Sequence, residues 1–212
     1  MYNQPAFVVD DTAELYAMMR QCRLANFITA TSEGPMATPL PMFLDETEGE
    51  MGVLYAHLAR PNPQWKAEVI GGGLAVFMGP DAYVTPSWYA SKAEHGKVVP
   101  TWNYTAVHAR GPVEFFDDAD RLLDVVSRLT NLHEASRQAP WRVSDAPEDF
   151  IKAQLRGIVG IRMPIATLEG KRKMSQNRPE ADRRGVKLGL AESADGKDRA
   201  VSAMIPVPDP AG

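Results

Sequence analysis

The chain has 212 residues, a formal net charge of −4 and one cysteine, Cys22. That length allows one large domain or two small ones, and an apolar share of 44% with a charged share of 24% is ordinary for a globular protein. The acidic balance argues against a global field that draws in nucleic acid or an anionic membrane, and a single cysteine excludes an internal disulfide.

The opening MYNQPAFVVDD lacks the basic start and apolar run of a secretory signal. The longest apolar stretches, such as LAVFM (74–78), are too short to span a bilayer. The expectation is a soluble, cytoplasmic protein without a membrane partner.

Asp11-Thr-Ala-Glu14 predicts a helix N-cap, with Leu15, Met18, Met19 and Cys22 following at helical spacing. FITAT (27–31) and MATPLPMFL (36–44) read as strands around Ser32-Glu33-Gly34, the second irregular or at an edge because of Pro39 and Pro41. VLYAHLA (53–59) is a third strand. Asn62-Pro63 caps a short helix through Trp65 to Val69. GGG (71–73) predicts a break, and LAVFM (74–78) and AYVTP (82–86) predict strands around a turn at Gly79-Pro80-Asp81.

Residues 87–97 read as an irregular crossing. Residues 98–116 read as one long strand, or two broken near Gly111-Pro112. Asp117 or Asp118 caps a helix to about His133, with Leu122, Leu123, Val126 and Leu129 on one face. PEDFIKAQL (147–155) is a short helix and IVGIRMPIATLEG (158–170) a strand. A basic run follows. From Ala191 the composition predicts a disordered tail. Six or seven short strands with flanking helices predict a mainly β barrel in one domain over residues 1–190, with 191–212 as the tail.

Three stretches carry candidate chemistry. Tyr55, Trp65, Tyr83, Trp88, Tyr89, Trp102 and Tyr104 concentrate between residues 55 and 104. Such a cluster suits a stacking wall for a flat ligand, with Thr101 and Asn103 as edge donors, and equally suits a barrel core or dimer face. HLARPNPQW (57–65) sets His57 and Arg60 at a strand end before an Asn62 cap, which fits either an anion site or a surface arginine beside an ordinary cap. GKRKMSQNRPEADRRGVK (170–187) reads as a phosphate-backbone contact for DNA, as cations closing over a ligand, or as a solvated basic face. Its Ser175-Gln176-Asn177 suggests directed hydrogen bonds. No His/Cys/Asp/Glu spacing resembles a metal site, and no nucleophile-elbow or dinucleotide fingerprint is present.

MYNQPAF, LYAHLARPNPQW, GPDAYVTPSWY, GKVVPTWNYTAVHARG, LTNLHE, PWRVSDAP, IVGI and GKRKMSQNRPEADRRGV run in order over nearly the whole chain. Together they resemble the PaiB-like FMN-binding negative transcriptional regulators. The resemblance implies a six-stranded antiparallel split barrel, shared with pyridoxamine-phosphate oxidases, and a homodimer with FMN at the subunit interface. It implies that His57, Ala59, Arg60 and Asn62 lie near the ribityl phosphate and that Thr101, Trp102, Asn103 and Tyr104 approach the isoalloxazine ring. Lys171, Ser175, Gln176, Asn177 and Arg178 would close the pocket, from the same chain or the partner. Pro61 departs from the family pattern and removes one N–H from that turn. Three functions remain open. One is a regulator contacting DNA through residues 171–187. Another is an FMN-dependent oxidoreductase without direct DNA binding. The third is a haem-binding or haem-degrading protein using His57 or His108.

Overall fold

The computed structural model describes residues 1–208. In chain order the elements are β1 (Val8–Val9), α1 (Thr12–Gln21), β2 (Leu24–Thr31), β3 (Gly34–Pro41), β4 (Phe43–Asp45), β5 (Val53–Ala59), β6 (Ile70–Val84), α2 (Ser91–His95), β7 (Thr101–Gly111), β8 (Glu114–Phe116), α3 (Ala119–Glu134), α4 (Glu148–Leu155), β9 (Ile158–Pro164), β10 (Thr167–Lys173), α5 (Glu180–Ala191) and α6 (Gly196–Met204). The strands form two sheets, with orders β1-β10-β7-β6-β2-β3 and β4-β5-β9-β8. The mainly β class holds. Among the described residues no helix is long and apolar enough to cross a membrane.

The chain divides into two compact units. The first comprises Met1–Met18, Met78–Val107 and the chain from Glu169 onward. Its core gathers Ala82, Val84, Tyr89, Met174, Val186, Leu190, Val201 and Ile205. α5 approaches Trp88 so closely that a Cβ on Gly185 would lie 1.9 Å from the Trp88 carbonyl oxygen.

The second unit comprises Met19–Phe77 and His108–Leu168. Here β2 pairs with β3 from Leu24↔Pro41 to Thr31↔Gly34, so the hairpin turn is Ser32-Glu33. In the smaller sheet β5 pairs with β4 and β9, and β8 pairs with β9, all antiparallel. One face of this sheet is covered by α3 and α4, where Phe43, Phe116, Leu122, Val125, Leu129 and Leu155 form a core with Tyr55 packed against it. Asp118 caps α3 by accepting from the Arg121 N–H at 2.9 Å.

Several sequence expectations are corrected. β6 continues through both GGG and Gly79-Pro80-Asp81, but its register against β2 shifts at Gly71-Gly72, where both glycines hold a positive φ. Close approach adds to this at Gly72 and Gly73: a Cβ on Gly72 would meet the Gly111 carbonyl at 2.7 Å, and one on Gly73 would meet Val113, Met163 and Phe27. Gly79 has no positive φ, and β6 stays a strand through Pro80 and Asp81 instead of turning. Residues 158–170 divide into β9 and β10, because the chain leaves the first strand at Pro164. After Asn62 there is only a 3₁₀ turn, Pro63–Trp65. On α3, Val125 is buried and Leu123 is 37% exposed, which moves the apolar stripe. Where disorder was expected from Ala191, α6 forms and buries Val201 and Ile205. Val201, Met204 and Ile205 supply a helical apolar face that the polar composition conceals. The rest of the tail expectation, at 209–212, lies outside the described residues.

Candidate functional site

In the first unit, β7 alternates its side chains. Asn103 is buried, while Trp102 is 52% exposed. Tyr83 and Trp102 meet edge to face, with ring centroids 6.2 Å apart. Lys171 is buried, with its ammonium 5.6 Å from the Tyr2 ring centroid and 5.4 Å from that of Tyr104. It also donates to the Tyr2 carbonyl at 3.2 Å. Lys173 donates to the Thr101 hydroxyl and the Trp102 carbonyl.

The segment after β10 is held by its own side chains. Gln176 accepts from the Met174 N–H and donates to the Arg172 carbonyl, both at 2.6 Å. Ser175 sits at φ 61°, a conformation uncommon for a residue with a side chain. Its hydroxyl is locked to Asn103. Asn177 is exposed. Arg178 stacks over Tyr89, 4.7 Å from its ring centroid.

The electrostatics of this group are one-sided. Burial pushes the Lys173 ammonium pKa below its ordinary value, and the cations of Lys171 and Arg178 push it further. None of the three is in an ion pair with a carboxylate among the described residues. An anion placed there would relieve mutual repulsion.

The second unit holds the remaining predicted residues. His57 shares the β5 face of Tyr55 and lies opposite Gly160, which in turn lies opposite Phe116. Burial lowers its pKa, and its Nδ1 is buried without a hydrogen-bond partner among the described residues. Ala59, on the same face, is exposed. Arg60 donates from Nε to the Arg156 carbonyl at 2.7 Å and from Nη2 to the Ile158 carbonyl at 3.1 Å, with Asp117 3.4 Å from Nη1. Arg60, Lys152 and Arg156 line one cavity of about 300 Å³ together with Asp117. Asn62 is a cap: it accepts from the Gln64 N–H and donates to the Thr38 hydroxyl, both at 2.9 Å.

Three participants escaped the sequence reading. Tyr2 covers Lys171. Gln64 is fully buried and joins Thr29 and Thr38 through its amide. Asp182, 1% exposed, accepts from both the backbone N–H and the hydroxyl of Ser91. Only the Asn62-Pro63-Gln64 cap hinted at any of these, because the others depend on contacts distant in sequence.

A family model described as "Putative FMN-binding domain" matches residues 1–167. The protease synthase and sporulation protein PAI 2 of Bacillus subtilis is 30% identical over 183 residues, spanning 86% of this chain and 85% of that protein. The chain belongs to the PaiB-like FMN-binding family. An uncharacterized protein of Emericella nidulans is 33% identical over 198 residues, spanning 78% of this chain and 79% of its own. Among solved structures, the flavocytochrome Anf3 of Azotobacter vinelandii aligns with a TM-score of 0.55 at 15% identity, over 78% of this chain and 68% of that one. The FAD and heme binding protein of Mycobacterium smegmatis aligns at 0.56 and 14%, over 78% and 73%. These likenesses identify the split-barrel fold. FMN is the family's cofactor, and the residues of the first unit suit it: an exposed aromatic face lies beside three cations without carboxylate partners.

Proposed function

We propose that this chain is an FMN-dependent oxidoreductase that acts as a homodimer and makes no direct contact with DNA. The observation that carries this reading is how the basic run is used. Arg172 pairs with Glu14, Lys171 lies among tyrosines, Lys173 binds the start of β7 and Arg178 stacks on Tyr89. Arg183 and Arg184 donate to the Pro206 and Pro208 carbonyls. A DNA contact needs exposed cations spread along a phosphate chain, whereas here Lys171 is buried and Arg172, Arg183 and Arg184 are engaged within the chain.

When bound, FMN supplies the redox chemistry. The chain supplies binding and orientation. Lys171, Lys173 and Arg178 attract the flavin's anionic groups, Trp102 and Tyr104 offer faces for its ring, and the Asn103–Ser175 pair fixes the segment carrying Arg178. The exposed Tyr83, Val99 and Trp102 support a second copy as cover. Any effect on transcription is then indirect. The haem reading rests only on the unpartnered Nδ1 of His57.

The test has two arms. FMN-loaded protein is mixed with NADH or NADPH and the loss of nicotinamide absorbance is followed. Separately, the anisotropy of a labelled DNA duplex is titrated at low and moderate salt. The proposal expects reductant consumption and no salt-steep DNA binding. Salt-steep binding that Lys173→Met weakens, with no reductant consumed, would replace it with the regulator reading.

A further inference from the structure

The second unit contains a cavity of about 320 Å³ that none of the flavin-directed residues lines. Its apolar lining includes Met42, Leu54 and Phe77, which are 1%, 0% and 2% exposed. Three guanidinium groups stand around it, from Arg20, Arg23 and Arg128. Two of them are neutralised. Arg20 pairs with Glu46. Arg128 pairs with Asp45 at 2.7 Å and lies over the Phe43 ring.

Arg23 differs. It is half-buried, and it forms no ion pair among the described residues. Its Nε donates to the Arg20 carbonyl and its Nη1 to the Leu132 carbonyl, both at 3.0 Å. The second bond satisfies a carbonyl in the last turn of α3, a structural service that fixes the guanidinium in place. It leaves Nη2 without an acceptor and the positive charge uncompensated. A pre-oriented guanidinium beside a closed apolar floor matches one ligand chemistry: a single carboxylate joined to a small hydrocarbon body. A phosphate would ask for more cations, and a neutral hydrocarbon would leave the charge unused.

We propose that this cavity binds a small amphipathic monocarboxylate. Arg23 takes the carboxylate, and Met42, Leu54 and Phe77 take the apolar body. The site lies within one unit and does not depend on the flavin assignment.

Octanoate and octanol, equal in chain length and different in charge, are the probes. Each is titrated into the full protein by calorimetry, with and without saturating FMN. The expected result is octanoate binding at least about ten-fold tighter than octanol, weakening with salt and unaffected by FMN. Arg23→Gln should erase that preference while octanol binding persists. Leu44→Trp, which places bulk at the cavity wall, should reduce binding of both. Equal binding of the two probes to the unsubstituted protein would overturn the proposal even if Arg23→Gln fails to fold. So would no binding, a preference that survives Arg23→Gln, or competition between octanoate and FMN.

Discussion

Asn103 and Ser175 bind each other twice: the Asn103 amide donates to the Ser175 hydroxyl at 3.1 Å, and that hydroxyl donates back to the Asn103 carbonyl oxygen at 3.2 Å. Both side chains are buried, and Ser175 holds a left-handed backbone at φ 61°. Ser175→Ala keeps the strain and strands a buried amide, so it should cost about 1–3 kcal/mol. Ser175→Gly also loses the hydrogen bonds, but glycine accepts this φ freely, so it should cost less. Urea unfolding of the two variants measures the difference. The reverse order would mean that the left-handed backbone at Ser175 stores little strain.

The Lys173 ammonium is disfavoured by its burial and by the nearby Lys171 and Arg178 cations. Lys173→Met should weaken FMN binding about ten-fold and flatten its dependence on salt, since charged hydrogen bonds to an anion are of that size. Fluorescence titration of FMN reads both effects. Unchanged affinity would remove the first unit's cations from the flavin site. Arg60→Met is the companion variant: it should lower melting temperature, because the Arg156 and Ile158 carbonyls lose their donor. Its FMN affinity tests the family-derived phosphate role independently.

The Asp45 carboxyl is held down to about 2 from 3.8, first by the Thr47 hydroxyl and then by Arg128. A depressed carboxylate stabilises the fold above its unfolded value and loses that contribution as pH falls through its folded one. Asp45→Asn should therefore cost about 1 kcal/mol at neutral pH, allowing for solvent screening. The deficit should shrink between about pH 4 and pH 2. Stability curves at several pH values decide it, and a deficit independent of pH would assign the loss to packing.

Gly185→Ala sets two effects against each other. Alanine favours the helix by about 1 kcal/mol. Its Cβ, however, would lie 1.9 Å from the Trp88 carbonyl oxygen, a backbone atom that cannot swing aside. Overpacking of this kind costs about 1–3 kcal/mol or more, so the variant should be destabilised. A thermal melt equal to or above that of the unsubstituted protein would show that α5 can shift away from Trp88.

α1 and α3 were legible because their signals are local: Asp11 and Asp118 cap them by accepting from Ala13 and Arg121. β6 was not, because glycine signals a break to any local reading. The close approaches that Gly72 and Gly73 allow are to residues distant in sequence, Gly111, Val113 and Met163. The aromatic cluster and the Ser175-Gln176-Asn177 insertion stand out in the sequence, and Ser175 and Gln176 make directed hydrogen bonds. What the sequence does not show is which partners the cations around that insertion take, Glu14 for Arg172, Tyr89 for Arg178 and Tyr104 for Lys171, since those partners come from other parts of the chain.

The family match ends at residue 167, while one hydrophobic core joins Ala82, Val84 and Tyr89 to Met174, Val186, Leu190, Val201 and Ile205. A boundary drawn at the edge of that model would slice that core in two. The fragment 1–167 would present Val84 and Tyr89 to water with nothing to cover them, and it should clump on release from the ribosome rather than survive as a shorter relative. The stretch beyond the edge of the family model is therefore one that the rest of the chain cannot shed.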